Sequence, residues 1–257
     1  MAQPMDLAFE ERGSGPVLLF IHGFPLDRTM WIPQLAGLAK IRTCVAVDLR
    51  GHGLSSDQEP GDYSIDLFAD DVVATLDVLK AEQADICGLS MGGYVAFSIL
   101  RRHPERVRSL ILVDTKAEAD SDDAKKGREA AAEAIARDGM EAFHDGLGPK
   151  LLGDSPPGEV VEQVRKMFAN TPPEVAAADS LAMRDRIDST PDLASISVPV
   201  LWVHGEQDKI MPIDAARATA ERIPGAQFVA IPGAGHIANM ENPKAVNDAI
   251  AAFLPKR

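Results

Sequence analysis

The segment Gly88-Leu89-Ser90-Met91-Gly92 sets a serine between two glycines, after the strand-like run Ala84–Leu89 and before a helical stretch, Met91–His103. A serine hydroxyl is a weak nucleophile in water. Lifted on a sharp strand-to-helix turn, with the free N–H groups of the helix start aimed at it, it can attack a carbonyl and have the oxyanion stabilised. That chemistry needs a base for the hydroxyl proton and a carboxylate to hold the base. Of six histidines, His236 stands in Pro232-Gly233-Ala234-Gly235-His236, a glycine-rich loop after the last strand-like run, where an imidazole can swing over a sheet edge. His103 sits at a helix end before Pro104, His144 lies in a helical region, and His52 follows a strand but comes early. His204 ends a strand-like run and is read as hydrogen-bonding within its own turn. Asp208, in Gly205-Glu206-Gln207-Asp208, is the leading carboxylate, and Glu206, Asp214 and Asp114 compete with it. The expected order is therefore Ser90, Asp208, His236: nucleophile, acid, base. Two N–H donors are expected on the oxyanion, one from Met91 and one from Phe24 in the loop His22-Gly23-Phe24-Pro25, where His22 itself is read as satisfying loop backbone.

Three residues so far apart in the chain can meet only if strand ends are gathered along one edge. The periodicity provides such an edge. Strand-like runs at Val17–His22, Thr43–Asp48, Ala84–Leu89, Ser109–Asp114, Val198–His204 and Gln227–Ile231 alternate with helical patterns, and several are apolar throughout, as strands covered on both faces must be. The clearest helix runs from Ser64 to Leu79, with Ile65, Phe68, Val72, Leu76 and Leu79 on one face and Ser64 placed to cap it. Strand, helix, strand in this rhythm predicts an α/β fold with a mainly parallel sheet and helices on both faces. The rhythm breaks between Thr115 and Pro191, where no convincing strand appears and helical patterns such as Ala124–Arg137 and Gly158–Phe168 dominate. A structureless loop of that length is uncommon inside a compact domain, so residues 115–190 read as a helical cap inserted into a core made of 1–114 and 191–257.

Composition excludes other classes. The 257 residues carry 26 Lys plus Arg against 39 Asp plus Glu, a net charge of −13, which repels nucleic acid and anionic lipid. The longest apolar run, Val17–Ile21, is far short of a membrane span, and the N-terminal residues lack the apolar core of a secretory signal. Cys44 and Cys87 belong to no CxxC pair and cannot form a disulfide framework; buried reduced thiols suit a cytoplasmic protein. No histidine–cysteine cluster has metal-ligand spacing, and no G-x-G-x-x-G follows a strand, so neither a metal nor a nucleotide cofactor is expected. Asp48, Arg50 and His52 read as pinning a loop near the site, the acidic 115–129 stretch as a solvated face, and Met91, Met211 and Met240 as pocket lining or core.

Together the motifs His22-Gly23-Phe24-Pro25, Asp48-Leu49-Arg50-Gly51-His52-Gly53-Leu54-Ser55, Gly88-Leu89-Ser90-Met91-Gly92-Gly93, Gly205-Glu206-Gln207-Asp208 and Gly233-Ala234-Gly235-His236 resemble the α/β-hydrolase superfamily over nearly the whole chain. The resemblance implies an eight-stranded, mostly parallel sheet with a helical cap after the sixth strand. Within the superfamily the sequence is similar to capped bacterial carboxylesterases and 3-oxoadipate enol-lactonases, which implies cofactor-free hydrolysis of a small ester or lactone. Haloalkane dehalogenases and epoxide hydrolases of this fold use an aspartate where Ser90 stands, and plant-type hydroxynitrile lyases carry a lysine where Ile237 stands, so those reactions are disfavoured. Hydrolysis of a carbon–carbon bond by the same triad, or slow turnover in a ligand receptor, are the competing readings. Oligomeric state is left open.

Overall fold

The computed structural model describes residues 3–55 and 63–255. Its seven strands are β1 (Phe9–Gly13), β2 (Val17–Ile21), β3 (Thr43–Val47), β4 (Ala84–Leu89), β5 (Val107–Val113), β6 (Val200–Gly205) and β7 (Gln227–Ile231). They form one sheet in the order β1-β3-β2-β4-β5-β6-β7, parallel throughout except where β1 runs antiparallel to β3. The helices are α1 (Ile32–Leu38), α2 (Ile65–Val78), α3 (Met91–Arg102), α4 (Asp122–Leu147), α5 (Gly158–Asn170), α6 (Pro173–Arg184), α7 (Ile213–Ala220), α8 (Ala238–Glu241) and α9 (Pro243–Phe253). Strands β4 and β6 are buried at every position, which requires cover on both faces. Helix α2 packs against α3, and α1 against α9.

All six strand-like runs of the sequence are strands, with ends displaced by no more than two residues. The helix expected from Ser64 is α2: Ser64 Oγ accepts the Leu67 N–H at 3.1 Å, and Ile65, Phe68, Val72 and Leu76 face the core. Two expectations are corrected. The sheet has seven strands among the described residues, not eight, because the chain before β1 gives its N–H groups to side chains (Met5 to Asp71 Oδ1, Ala8 to Ser55 Oγ) and Pro4 has none to give. The long helical excursion accordingly follows the fifth strand rather than the sixth. It holds α4, α5 and α6, with α4 broken at Gly139, whose φ of 81° is left-handed.

Parallel pairing puts the carboxyl ends of β2, β4, β5 and β6 side by side. From that edge leave the residues after Ile21, Leu89, Val113 and Gly205, and β7 leads from the same edge into the loop of His236. Loops at such an edge are where an open parallel sheet gathers a site.

Candidate active site

Ser90 occupies the turn between β4 and α3 with φ 53° and ψ −113°, a conformation that L residues rarely adopt. The glycines on either side make room for it. A Cβ on Gly88 would lie 2.1 Å from Gly92 O, and one on Gly92 would lie 2.3 Å from Ile21 O, so the turn closes only without side chains there. Thr115 Oγ1 donates to Ser90 O at 2.8 Å, and the Ser90 N–H donates to Val113 O at 3.0 Å, so the strained residue is held from the β5 end.

The structure brings the three expected residues together. His236 Nε2 lies 2.8 Å from Ser90 Oγ and His236 Nδ1 lies 2.7 Å from Asp208 Oδ2. The contacts set the tautomer: Nδ1–H donates to the carboxylate, and Nε2 accepts from the serine hydroxyl. Asp208 Oδ1 takes the N–H groups of Ile210 and Met211 at 2.8 and 2.9 Å, which fixes the carboxylate in its loop. Burial alone would raise the Asp208 pKa. The charge of His236, the hydrogen bonds of His204 and His236 and the Met211 N–H outweigh burial and hold it well below the carboxylate range.

Gly23 lies against the serine turn: a Cβ there would sit 2.8 Å from Leu89 Cδ2 and 3.4 Å from Ser90 Cβ. The loop carrying Phe24 is thus beside Ser90, as the pairing of Ile21 with Gly88 requires. Among the described residues, the N–H groups of Phe24 and Met91 donate to no protein acceptor. His22 does what the sequence suggested. Its Nδ1–H donates to Gly23 O, Nε2 accepts the Leu49 N–H at 3.0 Å, and burial with the neighbouring His52 keeps its pKa well below the usual value.

Of the competing acids, Asp114 is buried and already occupied. Its Oδ1 accepts the Gly205 N–H at 2.7 Å and its Oδ2 the Ala238 N–H at 3.1 Å, so it joins the loop of Asp208 to the loop of His236. Burial pushes its pKa up to about 6. Sequence reasoning missed His204 here: besides the expected bond within its turn (Nε2 to Met211 O, 2.7 Å), its Nε2 lies 3.3 Å from Asp208 Oδ2. Nothing in the chain signalled that one carboxylate serves two histidines, because the sharing depends on how tightly the turn 205–211 coils. Donor atoms of Asp114, His204 and Asp208 lie within 4.8 Å of one another. Both carboxylates are already bound to N–H groups, and only His204 Nδ1 is left without a partner, so they make no open metal site among the described residues.

Asp48, Arg50 and His52 do pin the loop after β3. Asp48 accepts the Arg28 and Leu54 N–H groups, Arg50 forks onto Asp71, and His52 Nε2 reaches Asp179 of α6 at 3.0 Å. Met91 and Met240 are core, whereas Met211 lines a cavity.

That cavity, of about 550 Å³, lies beside the triad. Phe24, Ile210 and Met211 form its inner wall, and Ala131, Ala134, Phe143 and Leu147 of α4 face them. Tyr94, Lys116, Asp120 and Arg128 line it too. The acidic stretch is not wholly a solvated face: Asp122 and Asp123 are exposed, but Asp120 is buried among Arg186, Arg128 and Lys116 at 2.7, 3.0 and 3.2 Å. Burial would raise its pKa, but the hydrogen bond and charge of Arg186, then of Arg128, hold it well below 3.8. A carboxylate depressed on folding contributes stability above its unfolded pKa and loses it as pH falls. Unfolding free energy is therefore expected to drop as pH falls below 3.8, and Asp120→Asn to flatten that drop while lowering stability at neutral pH; urea melts at pH values on either side check both.

A profile of the alpha/beta hydrolase fold matches residues 16–243. The chain belongs to the α/β-hydrolase family. It is similar to a thermophilic esterase from Thermogutta terrifontis, solved with malate bound, at 41% identity and a TM-score of 0.93, covering 96% of this chain and 92% of that one. It is also 31% identical to 3-oxoadipate enol-lactonase 2 of Acinetobacter baylyi over 99% of this chain and 95% of the relative. The 2-(acetamidomethylene)succinate hydrolase of Mesorhizobium japonicum is 30% identical, over 97% and 92%. The α/β-hydrolase is thus an enzyme, a hydrolase with esterase and enol-lactonase relatives. No described helix is long and apolar enough to cross a membrane.

Proposed function

We propose that this α/β-hydrolase cleaves small carboxylic esters or lactones through an acyl-enzyme on Ser90. The observation that carries the reading is the position of His236, 2.8 Å from the serine oxygen and 2.7 Å from a carboxylate held ionised. Ser90 Oγ attacks the carbonyl carbon as His236 Nε2 takes its proton. Asp208 holds the imidazole tautomer and stabilises the imidazolium. The N–H groups of Phe24 and Met91 receive the oxyanion, charge that develops only in the transition state, where preorganised donors act most strongly. The imidazolium gives its proton to the leaving alcohol, and water, deprotonated by the same nitrogen, then frees the acid. In a lactone the alcohol is part of the acyl chain, so deacylation releases acid and alcohol as one molecule. Helices α4 to α6 act as a lid, residues 115–190, over the site, and the substrate is a small molecule rather than a nucleic acid or a membrane. The esterase and enol-lactonase relatives support the same reaction class.

An ester and lactone panel tests the reading, combined with mass spectrometry after a fluorophosphonate probe. Turnover of at least one carboxylic ester or lactone and one covalent adduct, on the peptide of Ser90, are expected. An enzyme inert toward the whole panel, or labelled elsewhere, would refute it.

A further inference from the structure

Three cations meet one carboxylate beside the cavity, so the cluster of Lys116, Arg128, Arg186 and Asp120 carries an excess of positive charge within a chain of net charge −13. Arg186 is committed to the fold. It donates to Met183 O and Glu118 O at 2.7 and 2.8 Å as well as to Asp120, and its guanidinium lies 4.3 Å from the centre of the Tyr94 ring. Arg128 and Lys116 spend one N–H each on Asp120, and both line the cavity. Asp138 is the other acid in the wall, and Arg137 clasps it through two bonds of 2.9 and 2.6 Å.

Tyr94 lies beneath one of these cations. It is only 5% exposed and lines the same cavity, yet its hydroxyl has no hydrogen-bond partner among the described residues. A buried O–H left without an acceptor is costly, but this oxygen has almost no accessible surface, so it is closed off from the cavity, which Arg128 and Lys116 do line. Tyr94 and Lys116 are also tied to the backbone of the nucleophile. The Tyr94 N–H donates to Ser90 O at 3.3 Å, and Lys116 follows Thr115, whose hydroxyl donates to the same oxygen. The alanines and Leu147 of α4 leave an apolar channel beside these polar groups.

We propose that Arg128 and Lys116 form a subsite for a carboxylate on the substrate, joined to the scissile carbonyl by a short aliphatic spacer. The guanidinium fork matches a planar carboxylate, and the ammonium adds charge without demanding geometry. The subsite rests on the hydrolase reading above and narrows it to half-esters of dicarboxylic acids and lactones bearing a carboxylate.

Monomethyl glutarate and methyl pentanoate form a matched pair, followed by proton release at constant pH. The wild type is expected to show a kcat/KM ratio of about 10-fold or more in favour of the charged ester, since a site built to hydrogen-bond one group discriminates against its absence. Arg128→Gln should cut that ratio about 10-fold, chiefly through KM. Lys116→Gln, which removes the second cation, should cut it less, and it serves as the second variant should Arg128→Gln fold poorly. Free glutarate should inhibit competitively at concentrations where inorganic phosphate does not. A ratio near one in the wild type, or a ratio that both variants leave intact, overturns the subsite; stronger inhibition by phosphate overturns the choice of carboxylate. If neither ester is hydrolysed but glutarate still raises the melting temperature of the wild type and not of Arg128→Gln, the subsite stands and the hydrolase reading falls.

Discussion

Replacing Ser90 with alanine is expected to lower kcat on any ester this enzyme turns over by about 10⁴- to 10⁶-fold, the range seen when a triad loses its nucleophile. The loss is large because the other parts act through Ser90 Oγ. Without it His236 can activate only water, a nucleophile that no turn of the chain holds in place. The fold should survive. Ser90 contributes its strained backbone (φ 53°) rather than buried side-chain packing, and Thr115 and Val113 bond its backbone, not its hydroxyl. Alanine keeps the same backbone requirement, so circular dichroism and melting temperature should match the wild type. Steady-state rates on the best ester of the panel, with labelling by the fluorophosphonate, check both halves. A Ser90→Ala protein within about 10-fold of wild type would remove the acyl-enzyme altogether.

Much of this site was legible in the sequence, for a physical reason. A strand covered on both faces is apolar over most of its length, so Val17–Ile21, Thr43–Val47, Ala84–Leu89 and Val200–Gly205 stand out as runs broken only by Thr43, Asp85 and His204. Parallel pairing sends their carboxyl ends to one edge, and Ser90, Asp208 and His236 each follow such an end. What escaped is what sequence spacing does not encode. Strand β1 reads Phe-Glu-Glu-Arg-Gly; it is a half-exposed edge strand, so charge is tolerated there and no apolar run marks it. Its antiparallel pairing to β3 also sets the strand count at seven. Asp120 is buried with Lys116 and Arg128 of the same stretch and with Arg186, which comes from 66 residues further on, so the acidic run looked like an ordinary wet surface. Helix α6 has a weaker apolar stripe than α5 and begins at Pro172-Pro173, which reads as a break before it reads as a helix start.

The identity of the acid is the second point on which a large effect turns, since Asp208 and Asp114 both sit behind the imidazole. Asp208→Asn is expected to cost about 10⁴-fold in kcat, because an amide facing His236 Nδ1 no longer fixes the tautomer that leaves Nε2 free to accept. His204 sharpens this expectation. Burial alone would lower its pKa, but its bond to Asp208 and the charge of Asp114 raise it above the ordinary value, so asparagine at 208 removes the partner of two imidazoles. Asp114 cannot take over. Its oxygens are held by the Gly205 and Ala238 N–H groups, and moving it toward His236 would break both bonds. Asp114→Asn keeps one acceptor and turns a donor against the other N–H, so it should destabilise the fold by about 1–3 kcal/mol. Its effect on kcat should stay near 10-fold, through displacement of the loops it joins. Urea unfolding and single-turnover rates on the two variants give the comparison. The reverse ranking, with Asp114→Asn the slower enzyme and Asp208→Asn nearly intact, would make Asp114 the acid and leave the 2.7 Å contact between Asp208 and His236 a structural bond.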